Sequence, residues 1–195
     1  MAILIIGNGI SGITAARHIR KKSQEEIIVI SGETAHFFSR TALMYIYMGQ
    51  MKYEHTKPYE DSFWPKNNIQ LIQDWVTQID PEGQRVFLSE LNEWISYSSL
   101  ILALGSKPMQ LGLDKEEISG VQGLYSIQDV EKLELRTPLI QQAVIVGGGL
   151  IGVELAEMLL SRGKKVTMII REESFWRNVL PSEESKMISQ HLVSH

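Results

Sequence analysis

The chain has 195 residues, is 44% hydrophobic and 22% charged, and carries a formal net charge of −4. That length suits one large or two small domains with packed cores, and so mild an acidity gives no electrostatic case for a nucleic-acid partner. The absence of cysteine from these residues excludes disulfides, thiolate metal sites and a redox-active cysteine pair among them.

Ile3 to Ile6 are continuously apolar and predict a buried parallel strand. Because it starts almost at Met1, no room is expected for a signal peptide with a charged leading region. No apolar run is long enough to span a bilayer, so the expectation is a soluble cytoplasmic protein with no membrane partner. Gly7-Asn8-Gly9-Ile10-Ser11-Gly12 follow the strand directly. Ile10 to Lys22 predict a helix, with Ile13, Ala16 and Ile19 at helical spacing. Arg20, Lys21 and Lys22 lie near its C-terminus, where cations suit the helix dipole. Ile27 to Ile30 predict a second strand, followed by the loop Ser31-Gly32-Glu33.

Ser39 to Met48 predict a helix with Ser39 as N-cap and Gly49 as its stop. Pro58 is expected to open another short helix through Trp64. Ile69 to Ile72 and Trp75 to Ile79 read as strands, and Asp80-Pro81-Glu82-Gly83 is a turn signal from which Arg85 to Leu88 pair back as a hairpin. Leu100 to Leu104 predict another buried strand ending at Gly105. Residues 106 to about 142 read as a connection, with a short helix around Ile127 to Leu133.

A second strand–glycine–helix–strand unit then begins. Ala143-Val144-Ile145-Val146 lead into Gly147-Gly148-Gly149-Leu150-Ile151-Gly152, 140 residues after the first such turn. Leu150 to Leu160 predict a helix capped by Gly163, and Val166 to Ile170 its second strand. The runs Ile27-Ile28-Val29-Ile30 and Thr167-Met168-Ile169-Ile170 keep the same offset of 140. Pro181 to His195 begin a further helix. A doubly wound nucleotide domain has more strands than this, so the second unit is expected to be cut short. The expected fold class is therefore α/β, with two Rossmann-like, three-layer dinucleotide-binding units, the second incomplete. Their expected extents are 1–110 and 143–195, joined by 111–142.

Each glycine has a physical task. The first allows the sharp strand-to-helix turn, the second lets the main chain approach a pyrophosphate, and the third lets helix and strand pack closely. The helix N-terminus then offers unpaired N–H groups and partial positive charge to the phosphates. A single such turn also occurs in ordinary α/β proteins. Two in register, in the same strand context, imply two dinucleotides.

The combination of Ile6-Gly7-Asn8-Gly9-Ile10-Ser11-Gly12 with Leu102-Ala103-Leu104-Gly105-Ser106-Lys107-Pro108 and Gly147-Gly148-Gly149-Leu150-Ile151-Gly152-Val153-Glu154 resembles the FAD-dependent pyridine nucleotide-disulfide oxidoreductase superfamily. Ser39-Arg40-Thr41-Ala42-Leu43 through Met48-Gly49 is similar to the branch containing rubredoxin and ferredoxin reductases and the flavin half of assimilatory nitrite reductase. Branches with a redox cysteine place it near that helix, and here there is none. The resemblance implies FAD in the first unit and NADH or NADPH in the second. It also implies hydride transfer from nicotinamide to flavin, with electrons leaving to an acceptor such as rubredoxin or ferredoxin. Leu104 stands where the family usually has threonine, and the family's late Gly-Asp motif is missing from these residues.

By the same resemblance Gly7, Gly9, Ile10, Ser11 and Gly12 hold the FAD pyrophosphate, and Gly147, Gly149, Leu150, Ile151 and Gly152 that of NAD(P)H. Glu33, 21 residues after Gly12, is placed to accept the adenosine ribose hydroxyls, against the alternative of a loop acid. Arg40 is placed to bridge phosphate oxygens or to stand as a surface arginine. Val76 offers backbone groups to adenine; Ala103, Leu104, Gly105 and Lys107 pass close to the cofactor. Glu154 is assigned a place near the nicotinamide, the one catalytic candidate; its alternative is a first-turn acid favoured by the helix dipole. Arg171 and Arg177 are placed to clamp a ribose 2′-phosphate, whereas Glu172 and Glu173 would repel it or bind free ribose hydroxyls. The aromatics Phe37, Phe38, Tyr45, Tyr47, Phe63 and Trp64 are assigned to the core. No metal site is expected. Two rivals stay open: a truncated, non-catalytic nucleotide-binding module, and a single-cofactor dehydrogenase whose first unit has decayed.

Overall fold

The structure, a computed structural model, describes residues 2–108 and 118–194. The chain divides into two compact units, Met1–Arg40 with Lys52–Leu111, and Thr41–Met51 with Gly112–His195.

The first unit is built on one sheet. Strand β1 (Ala2–Ile6) leads into α1 (Ile10–Arg20) and β2 (Ile27–Ser31). A 3-10 turn at Tyr53–Thr56 and the one-turn helix α3 (Phe63–Lys66) precede β3 (Ile69–Gln73), β4 (Val76–Asp80), β5 (Arg85–Leu88) and β6 (Glu93–Leu102). The strand order is β3-β2-β1-β6-β5-β4. β1, β2 and β3 are parallel, and β4 and β5 form the expected hairpin. Alternation along β1 splits its apolar run between two layers, which is why the run is unbroken. Leu4 and Ile6 pack with Ile28, Ile30, Val86 and Leu88; Ile3 and Ile5 pack with Ile13, Ala16, Val29 and Trp64.

Two expectations for this unit are corrected. The last strand starts at Glu93, not Leu100, and is not buried to its end. Glu93 to Ser96 run antiparallel to β5, and Tyr97 to Leu102 then run parallel to β1. Past that switch no strand among the described residues lies on its other side, and Leu102 and Leu104 are 56% and 67% exposed. The helix expected from Pro58 to Trp64 starts instead at Phe63. Aromatic packing sets its place: Phe63 stacks on Tyr59 at 4.6 Å and meets Trp64 edge-on at 5.1 Å. Pro65 then falls in the first turn, where a missing N–H costs nothing.

The second unit contains α2 (Leu43–Tyr47), α4 (Ile127–Arg136), β7 (Gln142–Val146), α5 (Leu150–Ser161), β8 (Lys165–Ile169) and α6 (Ser182–Ser194). The helix expected over Ser39–Met48 is shorter: a 3-10 turn at Arg40–Ala42 runs into α2. Gly49 adopts φ +76° and ends it as expected. Arg162 donates to the Tyr47 carbonyl and pairs with Glu134 at 2.6 Å, tying α2, α4 and α5 together. Tyr47 is fully buried, its hydroxyl 2.6 Å from that of Thr137. The Thr137 proton goes to the Leu133 carbonyl, so Tyr47 is the donor. Burial pushes the Tyr47 phenol above its ordinary value, despite its bond to Thr137. Of the expected connection at 111–142, residues 111–117 lie outside the described residues.

β7 and β8 pair in parallel, Val144 beside Thr167 and Val146 beside Ile169. Ile145 is buried, while Val144, Val146 and Ile169 on the other face are 59%, 53% and 54% exposed.

Candidate dinucleotide sites

The first site forms at the carboxyl ends of β1, β2, β3 and β6, where open α/β sheets take ligands. Gly7 turns the chain with φ +110°, and a Cβ there would strike the Ala103 carbonyl. A Cβ on Gly12 would strike the Gly7 carbonyl. Gly9 is different, because a Cβ there would meet nothing within 4 Å. It begins α1 with no side chain capping the helix, and Gly9, Ile10 and Ser11 are exposed. The two glycines that touch protein are thus the turn and the packing glycines, and the one facing open space is assigned to the pyrophosphate. An uncapped, exposed helix start carrying partial positive charge fits a diphosphate.

Asn8, inside the turn, is buried and donates 2.8 Å to the Thr34 carbonyl, fixing the glycine loop to the loop after β2. That loop carries Glu33. Arg40 grips its carboxylate at two points, 3.0 and 2.5 Å, and lies over the Phe38 ring at 5.5 Å. The ribose acid and the phosphate arginine of the sequence reading are therefore partners of each other. Ala103 donates from its N–H to the Ile6 carbonyl at 2.8 Å and packs its methyl on the core, so Leu104, Gly105 and Lys107 continue exposed from the strand end beside Gly7. Gly105 takes φ +70°. Val76 opens β4 opposite Leu88 and packs its side chain on the core.

Two residues of this region were not singled out as site residues from sequence. Asp74 is 1% exposed, and its carboxylate accepts from the N–H groups of Trp75 at 2.6 Å, Leu91 at 2.9 Å and Glu90 at 3.0 Å. Burial pulls its pKa up, but these bonds and one from Ser89 outweigh it and hold the carboxyl below its ordinary value. Trp75 lies against Gly32: a Cβ on Gly32 would overlap the indole ring. The signal was available in position, since Asp74-Trp75 directly follow the carboxyl end of a parallel strand.

The second unit repeats the turn. Gly147 has φ +130°, a Cβ on Gly152 would strike the Gly147 carbonyl, and Gly149 faces open space at an uncapped start of α5. Leu150 and Ile151 beside it are 52% and 54% exposed. Glu154 is exposed on the first turns of α5. At the tip of β8, Arg171 bonds to the Glu172 carboxylate at 3.1 and 2.6 Å, which Asn178 also approaches at 3.4 Å. Arg171 holds the Glu172 carboxyl below its ordinary value. Arg177 is exposed and Trp176 takes a left-handed φ of +51°. Among the described residues no cluster is suited to a metal and no helix is long and apolar enough to cross a membrane.

Comparison with known proteins agrees with this geometry. The family described as "Pyridine nucleotide-disulphide oxidoreductase" matches residues 1–195. A probable ferredoxin reductase of Castellaniella defragrans is 29% identical over 97% of this chain and 46% of its own length. A rubredoxin-NAD(+) reductase of Pseudomonas putida is 31% identical over 87% of this chain and 44% of its own. The crystal structure of a ferredoxin reductase from Rhodopseudomonas palustris superposes with a TM-score of 0.89 at 25% identity, covering 99% of this chain and 48% of that one. The chain thus spans about half the length of the curated relatives it matches.

Proposed function

Because the chain belongs to the pyridine nucleotide-disulphide oxidoreductase family, we propose that it is the FAD- and NAD(P)H-binding part of a flavoprotein oxidoreductase. Electrons would pass from NAD(P)H to FAD and on to an external acceptor, a small carrier protein of the ferredoxin or rubredoxin kind. The names of the relatives support that acceptor class. The single observation that carries the two-cofactor reading is the pair of uncapped helix starts, at which Gly9 and Gly149 face open space. FAD, when bound, would supply a hydride-accepting ring able to hand electrons on singly. The protein's part is to bind, orient and tune. N–H groups at Gly9 to Gly12 hold one diphosphate, and those at Gly149 to Gly152 the other. Glu33, steadied by Arg40, takes ribose hydroxyls. Val76 offers backbone groups to adenine, and Ala103 to Lys107 line the flavin side. Glu154 orients the nicotinamide. The cytoplasm, where NAD(P)H is supplied, is the compartment this reading assigns.

The purified protein should be yellow with FAD near one-to-one, and NADH or NADPH should bleach it anaerobically. The rival is a nucleotide-binding module without turnover, with which the chain's coverage of half of its relatives is equally consistent. Colour without bleaching supports that rival; colourless protein that still binds NAD(P)H overturns the FAD assignment.

Arg171 and Glu172 bear on the choice of nicotinamide cofactor. A 2′-phosphate can use Arg171 only by drawing it from Glu172, whose carboxylate is also placed to accept free ribose hydroxyls. Arg177, six residues after Arg171 and exposed, is the second arginine proposed for the clamp.

A further inference from the structure

We propose that Trp75 is a stacking platform for the adenine ring of the dinucleotide held by the first unit, and that Asp74 is the positioning residue that fixes it. The proposal rests on the FAD reading above and extends it to a residue outside the glycine turn. The sheet order gives the direction. Outward from β1 the strands run β2, then β3. The glycine turn after β1 takes the diphosphate, and Glu33 after β2 takes the ribose. A chain of phosphate, sugar and base laid across the strand ends therefore brings its base to the end of β3, where Trp75 follows Gln73 by two residues.

The indole there is built for a flat ligand. Gly32, at the end of β2, lies so close beneath it that only the lack of a side chain lets the ring settle. Trp75 is nonetheless 58% exposed, so much of the ring remains open to a second planar group. Large aromatics with this much free surface, packed on backbone from one side, suit a purine, and base–aromatic stacking tolerates any π-face. The backbone under the ring is held firmly. Asp74 receives the Trp75 N–H at 2.6 Å and ties the turn at Glu90 and Leu91 to the same carboxylate, while Ser89 donates to the Trp75 carbonyl at 3.0 Å. Ordering a binding side chain before the ligand arrives reduces the entropy lost on binding.

The test uses the full chain and three probes: FAD, AMP and FMN. AMP is the adenosine half of FAD with one phosphate, and FMN is the flavin half with the other. Trp75→Ala should weaken FAD and AMP about tenfold or more and leave FMN unchanged. Trp75→Phe should stay within about threefold of the parent, since a smaller ring still stacks. AMP should also quench part of the tryptophan emission of the parent protein, and that part should vanish in Trp75→Phe, a readout that does not need the alanine variant to fold. Unchanged AMP affinity in a folded Trp75→Ala, an equal loss for FMN, or quenching that persists in Trp75→Phe overturns the platform alone. A parent protein that binds neither FAD nor AMP overturns the platform together with the FAD reading.

Discussion

Gly9 and Gly12 are chemically identical and constrained by opposite things. Gly12 is limited by its own protein, through the Gly7 carbonyl, whereas Gly9 borders open space. Gly12→Ala should therefore lower stability by about 1–3 kcal/mol, as overpacking does, seen as a drop in Tm. Gly9→Ala should melt as the parent does and lose FAD on gel filtration. A Gly9→Ala protein that keeps its FAD would argue against a pyrophosphate at that turn. Asp74 sets a pH dependence. Its folded pKa lies below the unfolded value, so its contribution is complete above about pH 4 and falls away as pH drops through the lower, folded value. In denaturant melts from pH 7 to pH 3, Asp74→Asn should be less stable than the parent at neutral pH, and the gap should narrow at the acid end. At the second site, Glu172→Ala releases Arg171 and removes a negative charge, so the ratio of NADPH to NADH affinity should rise. An unchanged ratio would separate Glu172 from the ribose. The glycines were legible from sequence because a turn, a close contact and an open approach all demand the same residue. Asp74 was legible only by its place after a parallel strand, because a buried carboxylate satisfied by backbone N–H groups leaves no periodic trace.

Among the elements, those with strong patterning were read correctly and those set by distant contacts were not. β1, β2 and β3 are short apolar runs between turn residues, and α1 and α5 follow glycine turns. The register of β4 and β5 followed from Asp80 to Gly83. β6 was read as half its length. Its first part carries Ile95 and Tyr97 at period two toward the core, but Ser96, Ser98 and Ser99 dilute the signal, and its change of partner depends on the β4–β5 hairpin being present. The helix expected at Pro58 moved because aromatic docking outweighed the proline start. α4 was located by its pattern, and the structure adds the reason it begins where it does. The Ser126 hydroxyl accepts from the Asp129 N–H at 3.1 Å, and the Asp129 carboxylate accepts from Ser126 and Tyr125, each at 3.0 Å. Ser126→Ala should cost about 1 kcal/mol in chemical denaturation, and Ser126→Thr should cost less than Ser126→Val.

At the scale of the molecule, the duplication of one supersecondary unit was the plainest message of the sequence, and both copies fold as parallel strand pairs joined by a helix. The copies differ in what surrounds them. β1 and β2 are covered on both faces, while β7 and β8 leave Val144, Val146 and Ile169 open on one. An apolar sheet face of this kind binds environment-sensitive dyes. Val144→Lys should lower dye fluorescence without lowering Tm, and a variant as bright as the parent would place the dye elsewhere. β6, meanwhile, is stitched to β5 along Glu93–Ser96 and to β1 along Tyr97–Leu102. The three-stranded meander and the parallel layer therefore share one stretch of main chain, and neither can come apart without pulling on the other. In deuterated solvent the amides of β1 and those just past Ser96 should be the last of their unit to lose protium, and they should do so together, in a single cooperative opening.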